Sequence, residues 1–72
     1  MTDLVLLNSR IDDSGYKKVY LAKQLGISPQ AFHLKTTGKV EFNSHQIQTL
    51  CKILGIAPKE MKSIFFADRV DG

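Results

Sequence analysis

Apolar residues recur at helical spacing along the chain, in five short segments separated by glycines. The dividing glycines are Gly15, Gly26, Gly38 and Gly55. Within a segment, apolar positions three or four residues apart fall on one face of a helix, and no stretch keeps the period of two that is typical of a strand. The pattern therefore predicts an all-α chain of five helices.

End signals place these helices along the sequence. Ser28 followed by Pro29 is a capping residue before a proline in the first helical turn. Asn43 with Gln46 three residues later is a capping box. The predicted helices cover about residues 3–12, 17–25, 29–37, 44–54 and 58–67.

A very short connection joins the second and third helices. Only Gly26 and Ile27 stand between them, so the two helices must cross steeply, as in a helix-turn-helix unit. Such a crossing needs a small residue, here Ala22, and a turn residue that adopts a left-handed backbone, here Gly26. Ile27 is expected to fill the gap between the helices. We therefore expect a helix-turn-helix unit over about residues 17–38.

Length and composition narrow the class of protein. The 72 residues fit one small domain, and a 43% hydrophobic content argues against a disordered chain. The apolar run at residues 4–7 is far too short for a signal peptide or a membrane span. One cysteine excludes a disulfide framework and suits a reducing compartment. We expect a single cytoplasmic domain, residues 1–72, that does not contact a membrane.

Positive charge is concentrated in the middle of the chain. Residues 14–40 carry five lysines and no acid, whereas the remaining chain carries five basic and seven acidic residues, a net charge of −2. Such a segment is typical of a protein that binds a polyanion, although a solvated lysine-rich surface is the alternative.

No residue set in the sequence supports catalysis, a metal or a cofactor. His33 and His45 stand twelve residues apart, and Cys51 lies on the apolar stripe of the fourth helix, where a small core residue is expected. The carboxylates are scattered, without a paired acid and base. We therefore expect neither an enzyme nor a bound cofactor.

The chain resembles the Cro/CI-like (XRE-family) helix-turn-helix proteins of phage and bacteria. The resemblance is carried by residues 16–32 (YKKVYLAKQLGISPQAF), by Gly38-Lys39 and by residues 47–56 (IQTLCKILGI). It implies a five-helix, lambda-repressor-like fold and a regulator of transcription that binds double-stranded DNA. It further implies a Cro-like repressor, encoded by a phage or another mobile element, that binds a palindromic operator as a homodimer.

The resemblance also implies which residues contact DNA. The base contacts are expected from the first turns of the third helix, at Pro29, Gln30, His33 and Leu34. A glutamine amide can bond adenine at two points, and a leucine can contact a thymine methyl. The phosphate contacts are expected from Lys17, Lys18, Ser28, Lys35 and Lys39.

Two positions depart from the family pattern. Most family members have an apolar residue at the position of Lys35. In this chain the apolar residue, Leu34, stands one position before it. Either the third helix is rotated, or the Lys35 stem covers the core while its ammonium reaches a phosphate. Pro29 replaces a polar side chain that often contacts bases, which removes one hydrogen bond.

The C-terminal apolar residues leave two functions open. Some of them must close the core, and Phe66 and Val70 are the candidates for a homodimer contact. Alternatively, Phe66 and Val70 both complete the core.

A different class of function is a protein-interaction module on the same scaffold, such as an antitoxin or antirepressor. The same apolar residues would then contact its protein partner.

Overall fold

Five α-helices form in residues 2–66, which the computed structural model describes. In chain order they are α1 (Leu4–Ser14), α2 (Lys18–Gln24), α3 (Pro29–Thr36), α4 (Ser44–Leu54) and α5 (Pro58–Phe65). No strand occurs in this part of the chain. The all-α, five-helix prediction is confirmed. The largest differences are at two helix ends, since α1 continues to Ser14 and α5 ends at Phe65.

The predicted caps begin α3 and α4. The Ser28 hydroxyl accepts a hydrogen bond from the Ala31 N–H at 3.0 Å. The Asn43 side chain accepts from the Gln46 N–H at 2.8 Å, and the Gln46 side chain accepts from the Asn43 N–H at 3.1 Å. Both helix starts are therefore fixed by local hydrogen bonds, and the predicted capping box is confirmed.

The turn between α2 and α3 is a Schellman motif. Gly26 has a φ of +72°, in the left-handed region. Its N–H donates to the Lys23 carbonyl, and the Ile27 N–H donates to the Ala22 carbonyl, each at 3.0 Å. Ala22 is fully buried and Ile27 packs partly buried against the core, as the sequence predicts. These contacts hold α3 across α2 and leave one side of α3 facing solvent.

Each helix contributes at least one fully buried side chain to a single core. The largest of these side chains are Leu7, Ile11, Leu21, Phe32, Leu50 and Ile64. Phe42, in the α3–α4 connection, lies edge-on to Phe32 with centroids 6.3 Å apart and edge-on to Phe65 at 5.7 Å. The aromatic cluster thus joins α3 to the C-terminal helix. An ion pair between Arg10 and Glu60 links α1 to α5 at the surface.

Candidate nucleic-acid interface

The four expected base-contacting residues lie together on the outer face of α3. Pro29, Gln30, His33 and Leu34 line one open groove, and all four side chains are exposed. Leu34 is a large apolar side chain and is 40% exposed. The groove therefore presents an amide, an imidazole and an apolar surface side by side to a ligand outside the protein.

The inner face of α3 explains why these residues are exposed. Phe32 and Thr36 are buried, and Lys35 is half-buried beside them. Since side chains three and four residues apart share one helical face, these three form the side of α3 that packs on the core. Gln30 and Leu34 lie opposite this side, whereas Pro29 and His33 lie at its edge, and all four side chains are exposed.

Lys35 lies half-buried at the edge of the core, which agrees with the first part of one expected arrangement, a stem that covers the core. Its ammonium donates to the Glu41 carbonyl at 2.9 Å and lies 5.8 Å from the centroid of the Phe42 ring. This hydrogen bond gives the ammonium a partner within the chain, and the phosphate contact expected of Lys35 stays a prediction. Lys35 differs in this from the other four lysines of the basic segment, which are exposed.

The start of α2 offers two lysines and a free helix end. Lys17 is the N-cap residue and Lys18 the first helical residue, and both are exposed. No side chain caps this end, and its first turn holds no acid. Backbone N–H groups and lysine ammoniums together favour an anion such as a phosphate.

Lys39 follows the end of α3 in a second Schellman motif. Gly38 has a φ of +85°, and the Lys39 N–H donates to the Leu34 carbonyl at 2.9 Å. The Gly38 N–H lies 3.4 Å from the Lys35 carbonyl. This turn fixes the Lys39 backbone close to the end of the helix that carries the base-contacting candidates, and the Lys39 side chain is exposed.

Two tyrosines form a feature that the family pattern does not predict. The rings of Tyr16 and Tyr20 stack with centroids 5.2 Å apart and planes at 17°, and both are exposed. Tyr16 lies just before the N-cap of α2 and Tyr20 lies within the helix, so the contact forms between the helix and the residue that leads into it. The stacked rings flank Lys17 and Lys18 along the chain.

The remaining candidates for chemistry are structural. Cys51 is buried in α4, as predicted, and burial raises the pKa of its thiol. Among residues 2–66, no three His, Cys, Asp or Glu side chains come together in a group that could hold a metal ion. Over the same range, no helix combines the length and apolar character that a membrane crossing requires.

The two candidates for a dimer contact have different outcomes. Phe66 caps the C-terminus of α5 and packs partly buried against the core. Part of this ring therefore completes the core, and part stays accessible. Val70 lies outside the described residues.

A helix-turn-helix that exposes Gln30, His33 and Leu34 on its second helix, together with exposed lysines in the same segment, is typical of a DNA-binding domain. The sequence profile of the Cro/C1-type HTH DNA-binding domain matches residues 7–64. The chain therefore belongs to this family, which confirms the resemblance seen in the sequence. Searches of curated proteins and of solved structures give no match. Domains of this family are typically non-enzymatic, and the protein is a DNA-binding regulator.

Proposed function

We propose that residues 1–72 form a single domain that represses transcription by binding a palindromic operator in double-stranded DNA as a dimer. The observation that supports this most strongly is the groove of Pro29, Gln30, His33 and Leu34 on an exposed helix face. A major groove about 12 Å wide admits an α-helix and presents the donors and acceptors that distinguish base pairs. A domain without chemistry of its own represses by occupying the promoter.

Each side chain in the groove has a distinct role in this proposal. Gln30 bonds a base edge through its amide, which can donate and accept at once. His33 offers one donor and one acceptor in its neutral form. Leu34 contacts a thymine methyl, and Pro29 contributes van der Waals contact only.

The lysines around the groove hold the sugar-phosphate backbone. Lys17, Lys18 and Lys39 are exposed, and the exposed Ser28 hydroxyl marks the positive end of α3. Phosphate contacts fix the orientation of the domain on the duplex, whereas base contacts select the sequence. The absence of acids between residues 14 and 40 keeps this surface attractive to DNA.

We infer a dimer because the recognition helix of one copy can contact only a few base pairs. The recognition helix α3 has only eight residues. Two copies that bind half-sites one helical turn apart, roughly 34 Å, double the number of base contacts. The accessible part of Phe66, together with Val70, is the proposed contact between copies.

One observation favours the alternative function, a protein-interaction module such as an antitoxin or antirepressor. Val5 on α1 is 85% exposed and lies outside the helix-turn-helix. In this alternative the protein partner contacts the accessible part of the Phe66 ring, which is only partly buried, as well as Val5. This function predicts a tight protein partner and weak DNA binding without sequence preference.

Selection from a random pool of DNA duplexes at two salt concentrations tests the proposal. We expect an enriched palindrome that persists at the higher salt, because base contacts depend less on salt than phosphate contacts do. Binding that enriches no sequence and fades steeply with salt would refute sequence-specific regulation and favour the alternative.

Paired variants then test the assigned roles. Gln30→Ala should reduce discrimination at one base pair by about 1–3 kcal/mol, while Lys39→Ala should weaken binding to all duplexes and lower the salt slope by about one. Gln48→Ala and Lys59→Ala change the same residue types at exposed positions outside the interface and should leave both quantities unchanged. Loss of affinity without a change in sequence preference in Gln30→Ala would show that Gln30 is not a base contact.

A further inference from the structure

The end of the recognition helix α3 has an unusual source for one of its hydrogen bonds. Backbone N–H groups of residues 37–39 satisfy three of its last four carbonyl oxygens, those of residues 33, 34 and 35. The fourth is the Thr36 carbonyl, which accepts a 3.1 Å hydrogen bond from the Asn8 side-chain amide. Asn8 belongs to α1, so a side chain from a different helix completes the end of α3.

The geometry fixes the orientation of the Asn8 side chain. The same amide nitrogen also donates to the Leu4 carbonyl at 2.8 Å. Both partners are carbonyl oxygens, which only accept, so the NH2 group must face them and both of its hydrogens are used. Asn8 is half-buried and Thr36 is only 4% exposed.

A second contact from α1 holds the Gly38 turn that follows α3. A Cβ atom on Gly38 would lie 2.8 Å from Leu4 Cδ1, so the first turn of α1 rests directly on the Gly38 backbone. Lys39 is the next residue. The first two turns of α1 therefore hold both the last residue of α3 and the turn that carries Lys39.

We propose that Asn8 is a positioning residue for DNA recognition, which holds the C-terminal end of α3 so that Gln30 and Lys39 engage the same duplex. This inference rests on the proposed function of α3. A helix of eight residues is roughly 12 Å long, so a small tilt at one end displaces contacts along its whole length. Binding residues must be held within about 0.5 Å and 10–20° of their productive geometry.

The test compares Asn8→Asp with Ser9→Asp. Asn8→Asp keeps the size of the side chain but turns a carboxylate toward two carbonyl oxygens. Ser9→Asp adds the same charge at the next position of α1, where the side chain is exposed. The readout is the ratio of two dissociation constants, one for random-sequence duplex and one for the duplex that the wild-type protein enriches.

We expect Asn8→Asp to lower this ratio about tenfold, since residues in one hydrogen-bonded network couple by amounts of that order. Ser9→Asp should weaken binding to both duplexes alike and leave the ratio within about twofold of the wild-type value. The double variant Asn8→Asp/Lys39→Ala should lose less affinity for the enriched duplex than the product of the fold-losses of the two single variants. The reason is that both substitutions disturb the same contact between the end of α3 and the DNA. Circular dichroism confirms folding at the assay temperature, and Asn8→Ala replaces Asn8→Asp if the latter is unfolded.

The outcomes separate this inference from the proposed function. An unchanged ratio in a folded Asn8 variant, or equal losses on both duplexes, overturns the positioning role while sequence-specific binding by the wild type stands. Independent effects of the Asn8 and Lys39 variants overturn it as well. A wild-type protein that enriches no sequence refutes the proposed function itself, and the inference falls with it.

Discussion

At the scale of single residues, Thr36 shows how a polar side chain can occupy a core position. It is 4% exposed, and its hydroxyl donates to the His33 carbonyl at 3.2 Å. Because that hydrogen bond replaces water, burial of the hydroxyl costs little. Thr36 is therefore a core residue on the inner face of α3, whereas Leu34 faces solvent.

Cys51 gives a residue-scale prediction about pH. Its side chain is 6% exposed, and burial raises the pKa of its thiol above the ordinary value near 9.0. The folded protein therefore disfavours the thiolate, so the stability from the neutral thiol is complete below that pH and is lost above it. We expect the free energy of unfolding to fall more between pH 7.5 and about 9.5 in the wild type than in Cys51→Ala.

Urea denaturation of both proteins at the two pH values measures this difference. Each protein serves as its own reference at pH 7.5, so the cavity left by the alanine cancels. The same fall in both proteins would mean that the Cys51 thiolate is as stable in the folded state as in the unfolded state.

At the scale of elements, hydrogen bonds at helix ends fix the two segments that flank the recognition helix. The Gly26 turn ends α2 and the Gly38 turn ends α3, each with a left-handed glycine and paired backbone hydrogen bonds. A non-glycine residue in this conformation costs roughly 1–2 kcal/mol. The sequence therefore sets both ends of α3 within narrow limits.

The capping box of α4 supplies a prediction at this scale. Asn43→Ala removes the acceptor for the Gln46 N–H, and we expect it to lower the free energy of unfolding by about 1 kcal/mol. Asn43→Asp retains an acceptor at the same place and should stay close to the wild type. The midpoint of urea denaturation at constant slope measures both. Equal losses in the two variants would show that the cap hydrogen bond contributes nothing.

At the scale of the whole molecule, the aromatic cluster joins the recognition helix to the end of the described chain. Phe42 contacts the ring of Phe32 in α3 and the ring of Phe65 in α5, with all three rings buried. In a domain of this size the core is thin, so one cluster carries a large share of the apolar burial. The DNA-contacting surface and the C-terminal helix are therefore expected to unfold together.

Phe42→Ala tests this connection. We expect a loss of about 3–5 kcal/mol, which is comparable to the whole stability of a small domain. Thermal unfolding followed by circular dichroism should show a much lower midpoint for Phe42→Ala and a smaller shift for Phe42→Leu. Binding to selected and random duplexes should be lost in parallel, through unfolding. A Phe42→Ala protein that melts within a few degrees of the wild type would contradict a central role for the cluster.

Much of the fold follows from signals that act over a few residues. The Ser28 cap, the Asn43–Gln46 box and the Gly26 turn each depend on partners at most five positions away, so local sequence is enough to predict them. The recognition groove follows from the same local logic. Helical spacing puts Gln30 and Leu34 opposite Phe32, and the family resemblance adds Pro29 and His33 to the set.

Other features depend on parts of the chain that meet only after folding. The sequence leaves two arrangements open for Lys35, and the choice depends on the Glu41 carbonyl and the Phe42 ring, which the α3–α4 connection brings to it. The Asn8 hydrogen bond spans 28 positions, and no local pattern marks an asparagine that will meet a distant carbonyl. Helices and turns are thus encoded locally, whereas the seating of α3 on α1 depends on long-range packing and appears only in the folded molecule.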